Sequence, residues 1–307
     1  MDHGDWAYFE GQIVSIQEAK ISVMTHAFNY GTAVFEGIRG YWNEDHENLY
    51  IFRLQEHIDR MLRNSNILMV RPKLSLTEIQ DIIIELTAKN GFREDTYIRP
   101  VCYKSEHELG PRLHDVASDL VIYEIRLGDY VNISGLKVAV SSWRRLRDNA
   151  IPARCKATGA YVNSALAATE AKMEGFDEAV FLGEDGTVSE GSAENLFLVQ
   201  NGVLITPPVT ADILTGITRN TIIELARNEL GLDVVERPVG RTELYVSDEM
   251  FFCGTGAQVA PVVEVDRRPI GTGKLGDVTI NLQKLYFDVV QGKIEKYRHW
   301  CTPVYDR

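Results

Sequence analysis

The chain has 307 residues, of which 45% are hydrophobic and 25% are charged, and its formal net charge is −12. This composition is ordinary for a globular enzyme. The negative charge argues against nucleic acid or an anionic membrane surface as the main partner, because both favour clustered Lys and Arg. No apolar run approaches the length of a membrane span, and the first residues lack the basic start and apolar core of a secretory signal. We therefore expect a cytoplasmic protein with neither a nucleic-acid nor a membrane partner.

Cysteine and histidine spacing predicts neither a disulfide framework nor a metal site. The four cysteines lie far apart and form no Cys-x-x-Cys pair, and the seven histidines show no His-Glu-x-x-His spacing. We expect reduced, buried thiols and no metal ion.

The first part of the chain predicts a hairpin, two helices and two longer strands. Residues 7–14 have the pattern of a hairpin around a Gly-Gln turn. Apolar residues at helical spacing predict helices over 56–68 and 76–86, and residues 97–103 and 118–126 have the pattern of strands. A Gly-containing connector follows, and we place a domain boundary there.

The second part of the chain continues with alternating strands and helices. Strands are predicted over 136–142, 178–182 and 249–253, and helices over 160–174 and 218–229. No internal repeat or low-complexity segment interrupts this pattern.

Lys156 is the first candidate for chemistry. It is flanked by Cys155, Ala157 and Gly159, so no long neighbour covers it. A lysine nucleophile needs such a close, partly dry setting to lose its proton near neutral pH. These surroundings favour Schiff-base chemistry, and the alternative is a solvated loop lysine.

Glu190 is the second candidate. It lies between Ser189 and Gly191, ahead of a strand-like run over 195–199. It is either an exposed turn carboxylate or the partner of a buried protonated nitrogen. An amine for the aldehyde and an acid for the ring nitrogen are the two groups that pyridoxal phosphate needs.

Two turns and one arginine are candidate phosphate ligands. The segment from Leu214 leads into a predicted helix, so the amides of Ile217 and Thr218 should lie at a helix N-terminus, where anions bind. Alternatively, Thr218 caps its own helix. A turn at Thr255 follows a strand. Arg60 lies in the middle of a helix, where it extends to solvent, pairs with a nearby acid or binds phosphate.

The segment Gly271-Thr-Gly-Lys-Leu-Gly276 matches a dinucleotide-binding pattern. It lacks the preceding strand and the second strand of a βαβ unit, and it also lacks the spacing of a phosphate-binding P-loop. The pattern therefore argues only weakly for a nicotinamide or flavin site.

Taken together, these motifs resemble the branched-chain amino acid aminotransferases, which are pyridoxal phosphate enzymes of fold type IV. The resemblance covers nearly the whole chain, and its motifs occur in the family's order at residues 24–39, 56–60, 97–100, 156–161, 189–197, 214–219 and 254–255. It implies an α/β (α+β) fold with a small N-terminal α/β domain, a linker and a larger C-terminal domain with a barrel-like sheet. The predicted bounds are 1–125, 126–135 and 136–307, with the cofactor between the domains.

The resemblance also implies the cofactor ligands. Lys156 would carry the internal aldimine and move the proton between the substrate Cα and the cofactor's C4′ carbon. Glu190 would keep the pyridine nitrogen protonated, and Tyr161 would hydrogen-bond near the ring hydroxyl. The remaining cofactor ligands that it implies are Arg60, Leu214, Ile217, Thr218 and Thr255.

The implied reaction is transamination of branched-chain L-amino acids (Leu, Ile, Val) with 2-oxoglutarate by a ping-pong mechanism, in a homodimer or higher homo-oligomer. A pocket that mixes aromatic walls with an arginine takes an apolar side chain in one half-reaction and a carboxylate in the other. The substrate residues implied by the resemblance are Tyr30, Phe35, Gly37, Arg39, Tyr97, Arg99, Gly256 and Ala257.

One loop departs from the family's pattern. Many bacterial branched-chain enzymes have a Gly-Val-Asn-Pro-Pro-like loop after the strand that ends near Tyr103, whereas Pro111-Arg112-Leu113-His114 is similar to the carboxylate trap of D-amino acid aminotransferases. Arg112 and His114 either clamp a substrate carboxylate or belong to a solvated loop. The first hypothesis for the substrate remains a branched-chain L-amino acid, and the second is a D-amino acid or an (R)-amine.

Three other classes compete with transamination. An aminodeoxychorismate lyase of the same fold shares the lysine and the glutamate, but the aminotransferase substrate motifs argue against it. A nicotinamide oxidoreductase and a non-catalytic binding protein are the other two. A yellow absorption band that borohydride removes would exclude both of them.

Overall fold

The computed structural model describes residues 3–128 and 135–305, which form two compact units. The first unit comprises Met1–Gly128, Cys155–Gly159 and Asp288–Arg307, and the second comprises Asp129–Arg154 and Ala160–Phe287. Most of the predicted linker, residues 129–134, lies outside the described residues. The domain bounds expected from the sequence stay a prediction. The short segment that carries Lys156 belongs to the first unit.

Residues 3–128 hold the secondary structure of most of the first unit. In chain order its elements are β1 (Trp6–Phe9), β2 (Gln12–Ser15), α1 (His26–Tyr30), β3 (Ala33–Phe35), β4 (Ile38–Asn43), β5 (Asn48–Phe52), α2 (Leu54–Ile67), α3 (Leu76–Asn90), β6 (Thr96–Lys104) and β7 (Ser118–Arg126). The two helices and two long strands predicted here are confirmed, with ends that move by a few residues.

Residues 135–305 hold the remaining elements. In chain order these are β8 (Leu136–Arg144), α4 (Tyr161–Met173), β9 (Glu178–Leu182), β10 (Val188–Gly191), β11 (Asn195–Gln200), β12 (Val203–Thr206), α5 (Ile217–Glu229), β13 (Val234–Glu236), β14 (Glu249–Gly254), β15 (Gln258–Val265), β16 (Arg268–Pro269), α6 (Asp277–Val290) and β17 (Cys301–Pro303). Short 3₁₀ helices occupy Thr158–Ala160, Arg241–Tyr245 and Glu295–Trp300.

The first unit is built on an antiparallel sheet in the order β17-β5-β4-β6-β7-β1-β2, with β3 also paired to β6. The predicted hairpin is confirmed as β1 and β2, and its turn lies at Glu10 and Gly11. Both residues have positive φ, which is the backbone twist that a two-residue hairpin needs. A capping box of Ser75 and Glu78 begins α3, and Gly91 at φ 69° ends it.

The second unit is built on a mixed, barrel-like sheet in the order β10-β9-β8-β15-β14-β11-β12-β13. Parallel pairing joins β8 to β9 and β12 to β13, and parallel neighbours require a crossover, which α4 and α5 supply. Small side chains let α4 lie close to β8 and β9, because Ala139, Ala167, Ala171 and Ala179 pack with Phe176 and Phe181.

The glycine-rich segment over 271–276 is a packing turn. A Cβ atom at Gly276 would collide with the side chain of Glu249, and one at Gly271 would collide with the backbone of Asp248. Glu249 accepts hydrogen bonds from the amides of Val278 and Thr279 at 3.1 and 2.8 Å. A protein carboxylate therefore already binds the amides at the start of α6 that a pyrophosphate would need.

The expected buried thiols are confirmed. The cysteines at 102, 155, 253 and 301 are all free and buried. Burial raises the pKa of Cys102, Cys155 and Cys301 to about 12, so these thiols stay protonated at neutral pH. Over residues 3–128 and 135–305, no helix is both long and apolar enough to cross a bilayer, and no cluster of His, Cys, Asp or Glu is arranged to hold a metal ion.

Candidate active site

The backbone around Lys156 is bonded to strand β3. The amide of Phe35 donates to the carbonyl of Lys156 at 3.0 Å, and Val34 forms a β-bridge with Ala157. Since the other edge of β3 pairs with β6, the lysine segment extends the sheet of the first unit by a few residues. Lys156 itself is half-buried, and its Nζ lies 4.9 Å from the centre of the Phe35 ring.

Small residues allow this close approach, as the sequence indicated. The amide of Gly159 and the hydroxyl of Thr158 both donate to the carbonyl of Gly31, at 3.1 and 2.8 Å. A Cβ atom at Gly31 would lie 2.8 Å from the Cα of Gly159, and Gly31 also has a φ of 66°. Glycine is therefore required at position 31 by both space and backbone conformation.

Arg60 is buried and forms a bidentate ion pair. Its Nε and Nη2 each donate to a carboxylate oxygen of Glu36 at 2.7 Å, and Nδ1 of His57 lies 2.8 Å from the same carboxylate. Burial acts to raise the pKa of Glu36, but the Arg60 charge and the hydrogen bonds outweigh it and hold that pKa far below its usual value. Burial lowers the pKa of His57, which favours a neutral ring that donates through Nδ1. The interpretation of Arg60 as a solvent-exposed arginine is wrong.

Four of the expected substrate residues lie together in the first unit. The Arg99 guanidinium lies 4.4 Å from the ring centre of Phe35 and donates to the Tyr97 hydroxyl at 2.7 Å. A Cβ atom at Gly37 would overlap that hydroxyl, so glycine is needed beside Tyr97. The result is a cluster with an aromatic wall and a guanidinium.

Arg39 is directed away from that cluster. It is 1% exposed, and its Nη2 donates to the carbonyls of Leu127 and Gly128 at 3.0 and 2.9 Å and to Asp95 at 3.3 Å. Its buried Nε and Nη1 have no hydrogen-bond partner within the described part of the chain. Arg39 thus holds the end of the segment that leads into residues 129–134, which lie outside the described residues.

The loop with Arg112 and His114 lies against α1. The amide of Gly110 donates to the Tyr30 hydroxyl at 3.0 Å, and the Gly110 carbonyl lies 2.9 Å from Nε2 of His26. Arg112 is exposed and pairs with Glu108 at 2.6 Å, and His114 is also exposed. The structure therefore brings the base of this loop to Tyr30, while the carboxylate clamp stays a prediction.

Glu190 is the centre of a buried network in the second unit. It is 4% exposed, so the alternative of an exposed turn carboxylate is wrong. Arg145 contacts its Oε1 at 2.7 Å, and the Asn195 side chain and the Leu214 amide donate to its Oε2 at 3.0 and 3.1 Å. Sequence reasoning missed Arg145, because a basic cluster at 144–147 gives no local sign of its distant partner.

The start of α5 is built around Gly216. This residue is the N-cap, and no side chain caps the helix, so the interpretation of Thr218 as its cap is wrong. A Cβ atom at Gly216 would overlap the side-chain oxygen of Asn195, whose nitrogen also donates to the Leu214 carbonyl at 2.9 Å. Asn195 therefore joins Glu190 to the amides of Ile217 and Thr218 in the first turn.

The other expected ligands lie at the ends of elements in the second unit. Tyr161 is the first residue of α4 and is half-buried. Thr255, Gly256 and Ala257 form the turn between β14 and β15, whose last pair is Gly254 with Gln258. Turns and helix starts of this kind expose backbone amides to a ligand.

Known proteins with this sequence pattern and fold are aminotransferases. Residues 33–265 match the family described as amino-transferase class IV. The chain is 52% identical over 304 residues to a probable branched-chain-amino-acid aminotransferase of Aquifex aeolicus, and the match covers 99% of this chain and 98% of that protein.

Two crystal structures extend this similarity to the fold. One is the branched-chain aminotransferase from Thermoproteus uzoniensis with norvaline, at a TM-score of 0.95 and 42% identity, covering 98% of this chain and 100% of that one. The other is a T.th. branched-chain amino acid aminotransferase complexed with N-(5′-phosphopyridoxyl)-L-glutamate, at a TM-score of 0.94 and 38% identity, covering 98% and 99%.

The chain is therefore a class IV aminotransferase, and its predicted fold type IV architecture is confirmed. Within that class it belongs to the branched-chain-amino-acid aminotransferase family, as its motifs indicated.

Proposed function

We propose that this enzyme transfers the amino group of branched-chain L-amino acids (Leu, Ile, Val) to 2-oxoglutarate by a ping-pong reaction. Its cofactor is pyridoxal 5′-phosphate, which supplies an electrophilic aldehyde and a ring that withdraws electrons from the substrate Cα. The observation that carries the proposal is the Lys156 segment, whose backbone β3 and Gly31 hold in place among small residues.

Lys156 Nζ acts as nucleophile and general base. Its amine binds the cofactor aldehyde, and during the reaction it removes the proton from the substrate Cα and returns it on the cofactor side. A fixed backbone supports this role, because proton transfer requires a base held within hydrogen-bond distance of its target.

The second unit supplies the groups for the ring. The Glu190 carboxylate holds a proton on the pyridine nitrogen, and Arg145, Asn195 and the Leu214 amide keep that carboxylate in position. Tyr161 donates a hydrogen bond near the ring hydroxyl. The buried, fully bonded carboxylate fits this task, because a charge taken out of water must have a partner in the site.

Phosphate binding is assigned to Arg60, the amides of Ile217 and Thr218, and Thr255. The uncapped first turn of α5 favours an anion through its amides and the helix dipole. A buried guanidinium in a fixed orientation suits a phosphate oxygen. These donors fit a phosphate monoester.

The substrate pocket is assigned to Phe35, Gly37, Tyr97 and Arg99 of the first unit, together with Tyr30, Arg39, Gly256 and Ala257. The Phe35 and Tyr97 rings offer apolar contact, and the Arg99 guanidinium offers a site for the second carboxylate of glutamate. The norvaline and phosphopyridoxyl-L-glutamate complexes of the two relatives support both halves of this assignment.

A second candidate is transamination of D-amino acids or (R)-amines. The observation that favours it is the hydrogen bond from Gly110 to Tyr30, which brings the loop with Arg112 and His114 to a proposed substrate residue. A substrate panel of leucine, isoleucine, valine, D-alanine and an (R)-arylalkylamine separates the two candidates. Turnover of aminodeoxychorismate without an amino acceptor would instead indicate the lyase.

We also propose a homodimer formed through an apolar surface on the first unit. Val23, Phe28 and Leu109 are 77, 66 and 85% exposed, and the bond from Gly110 to Tyr30 brings Leu109 to the same helix as Phe28. Exposed apolar side chains gathered in this way mark an interface. Light scattering should give twice the chain mass, and Phe28→Glu should lower it to a monomer.

A cytoplasmic location completes the proposal. It is supported by the net charge of −12 and by the reduced, buried thiols. Cell fractionation with a cytoplasmic marker enzyme tests it, and recovery in an extracellular or membrane fraction would contradict it.

The decisive test of the mechanism is the change Lys156→Ala. The wild-type protein with pyridoxal phosphate should show a visible absorption band that borohydride removes, and it should transaminate leucine. Lys156→Ala should lose both properties, whereas Lys293→Ala, the same change at an exposed lysine, should lose neither. Normal turnover by Lys156→Ala would refute the mechanism.

A further inference from the structure

Glu36 is a buried carboxylate with no role in the reaction described above. It is 0% exposed, and its oxygens accept from Arg60 and His57, as described for the site. Ion pairs this deeply buried are costly to form and carry little net stability. Stability alone therefore does not account for the pair, and a role in orienting a ligand-binding side chain does.

The ion pair fixes the plane of the Arg60 guanidinium. Glu36 Oε1 accepts from Nε and Oε2 accepts from Nη2, both at 2.7 Å, so one whole edge of the planar group is bound. His57, one turn earlier on α2, adds a third hydrogen bond at 2.8 Å that holds the carboxylate itself. A bidentate fork of this kind restricts both the position and the rotation of the arginine.

Strand β3 connects this ion pair to the catalytic lysine. Phe35 donates its amide to the carbonyl of Lys156, and the next residue is Glu36, whose own amide donates to Pro100 at 2.9 Å. Two consecutive residues at the end of one strand therefore hold the Lys156 backbone and the Arg60 side chain. Both attachments lie within the first unit.

We propose that Glu36 is a positioning residue that sets the Arg60 guanidinium relative to Lys156, so that a cofactor attached at the lysine meets the arginine at its phosphate. The inference rests on the proposed function, because it takes Arg60 as a phosphate ligand. Glu36 itself touches neither the cofactor nor the substrate. It acts by removing the need to order a long side chain when the phosphate binds.

The test compares pyridoxal 5′-phosphate with pyridoxal, which has the same aldehyde and no phosphate. Dissociation constants for both are measured with the apoenzyme by absorption titration, for wild type, Glu36→Gln and Glu36→Asp. Both variants should bind pyridoxal phosphate about tenfold more weakly, the loss expected when a side chain must be ordered on binding. Their affinity for pyridoxal should change less than about twofold, because pyridoxal has no phosphate for Arg60 to bind.

Glu36→Asp separates position from charge and also serves if Glu36→Gln does not fold. The aspartate keeps the negative charge but is one methylene shorter, so it cannot hold Arg60 in the same place. Glu124→Gln is the matched control, since it removes another fully buried carboxylate from the first unit. It should leave both dissociation constants unchanged.

Three outcomes would overturn the inference. Equal weakening for both ligands would show a general structural role, and wild-type affinity in Glu36→Asp would show that charge alone matters. Tighter binding of pyridoxal phosphate by Glu36→Gln would show that the carboxylate opposes the phosphate. Failure of the wild type to bind pyridoxal phosphate would refute the proposed function itself, which the wild-type titration reveals before any variant is compared.

Discussion

Glu124 is a buried carboxyl group on β7, and its surroundings predict that the stability of the protein falls as the pH rises from about 5 to about 8. The residue is 1% exposed. Asn90 donates to one of its oxygens at 2.8 Å, and the Thr87 hydroxyl lies 2.5 Å from the other. The same hydroxyl lies 2.7 Å from the carbonyl of Ile83. A hydroxyl has a single proton, so both contacts are satisfied when Glu124 is protonated and donates to Thr87.

The size of the effect follows from the pKa of this group. Burial raises the pKa of Glu124 to about 7 from an ordinary value of 4.5, against the lowering effect of the hydrogen bonds. The protonated group therefore contributes its full stability below pH 4.5, and this contribution is lost as the pH rises through about 7. A rise of about 2.5 in pKa corresponds to about 3 kcal/mol of unfolding free energy at pH 8.

The change Glu124→Gln tests this reasoning by replacing the protonated acid with a neutral group of the same shape. Urea denaturation of wild type and variant is measured from about pH 5 to about pH 8. The variant should match the wild type near pH 5 and exceed it by up to about 3 kcal/mol at pH 8. Glu85→Gln, at an exposed position on the adjacent helix, should show no such trend. A constant difference between Glu124→Gln and wild type across this range would refute the raised pKa.

Three further predictions concern the site. Gly31→Ala should weaken cofactor affinity at least about tenfold by displacing the lysine segment, whereas Gly91→Ala, also at positive φ but with nothing within 4 Å, should cost only stability, about 1 kcal/mol; equal cofactor affinity in the two variants would contradict the contact. Glu190→Gln should lower kcat about a hundredfold or more with little change in KM, and stopped-flow half-reactions check this. Arg112→Ala should raise KM for one carboxylate substrate, while Arg63→Ala, also at an exposed ion-paired arginine, should not; unchanged kinetics with every substrate would favour a solvated loop.

Much of the local structure could be predicted because its signals lie close together in the chain. Alternating apolar residues and the glycine at position 11 predicted the hairpin of β1 and β2. Apolar spacing and the glycines at 91 and 175 predicted where α3 and α4 end, since only glycine adopts positive φ readily. Small neighbours also singled out Lys156, because the absence of bulk near a lysine is visible in the sequence itself.

The partners of the site residues could not be predicted in this way. Arg60 offered three local interpretations, and only the fold shows that it pairs with Glu36 at the end of β3. Arg145 is one of several arginines in a short cluster, yet it contacts Glu190 at 2.7 Å. Such pairs depend on strand register and helix placement, which local spacing does not specify.

The sequence by itself determined the class of chemistry, because a lysine among small residues, a carboxylate before a strand and turns that suit phosphate are local patterns. The tertiary structure decided how those groups are held. Strand β3 holds the Lys156 backbone and, through Glu36, the Arg60 side chain, while Asn195 joins Glu190 to the start of α5. The physical reason is that a buried charge or amide must be satisfied by whatever group the folded chain brings within about 3 Å, and that group is usually distant in sequence.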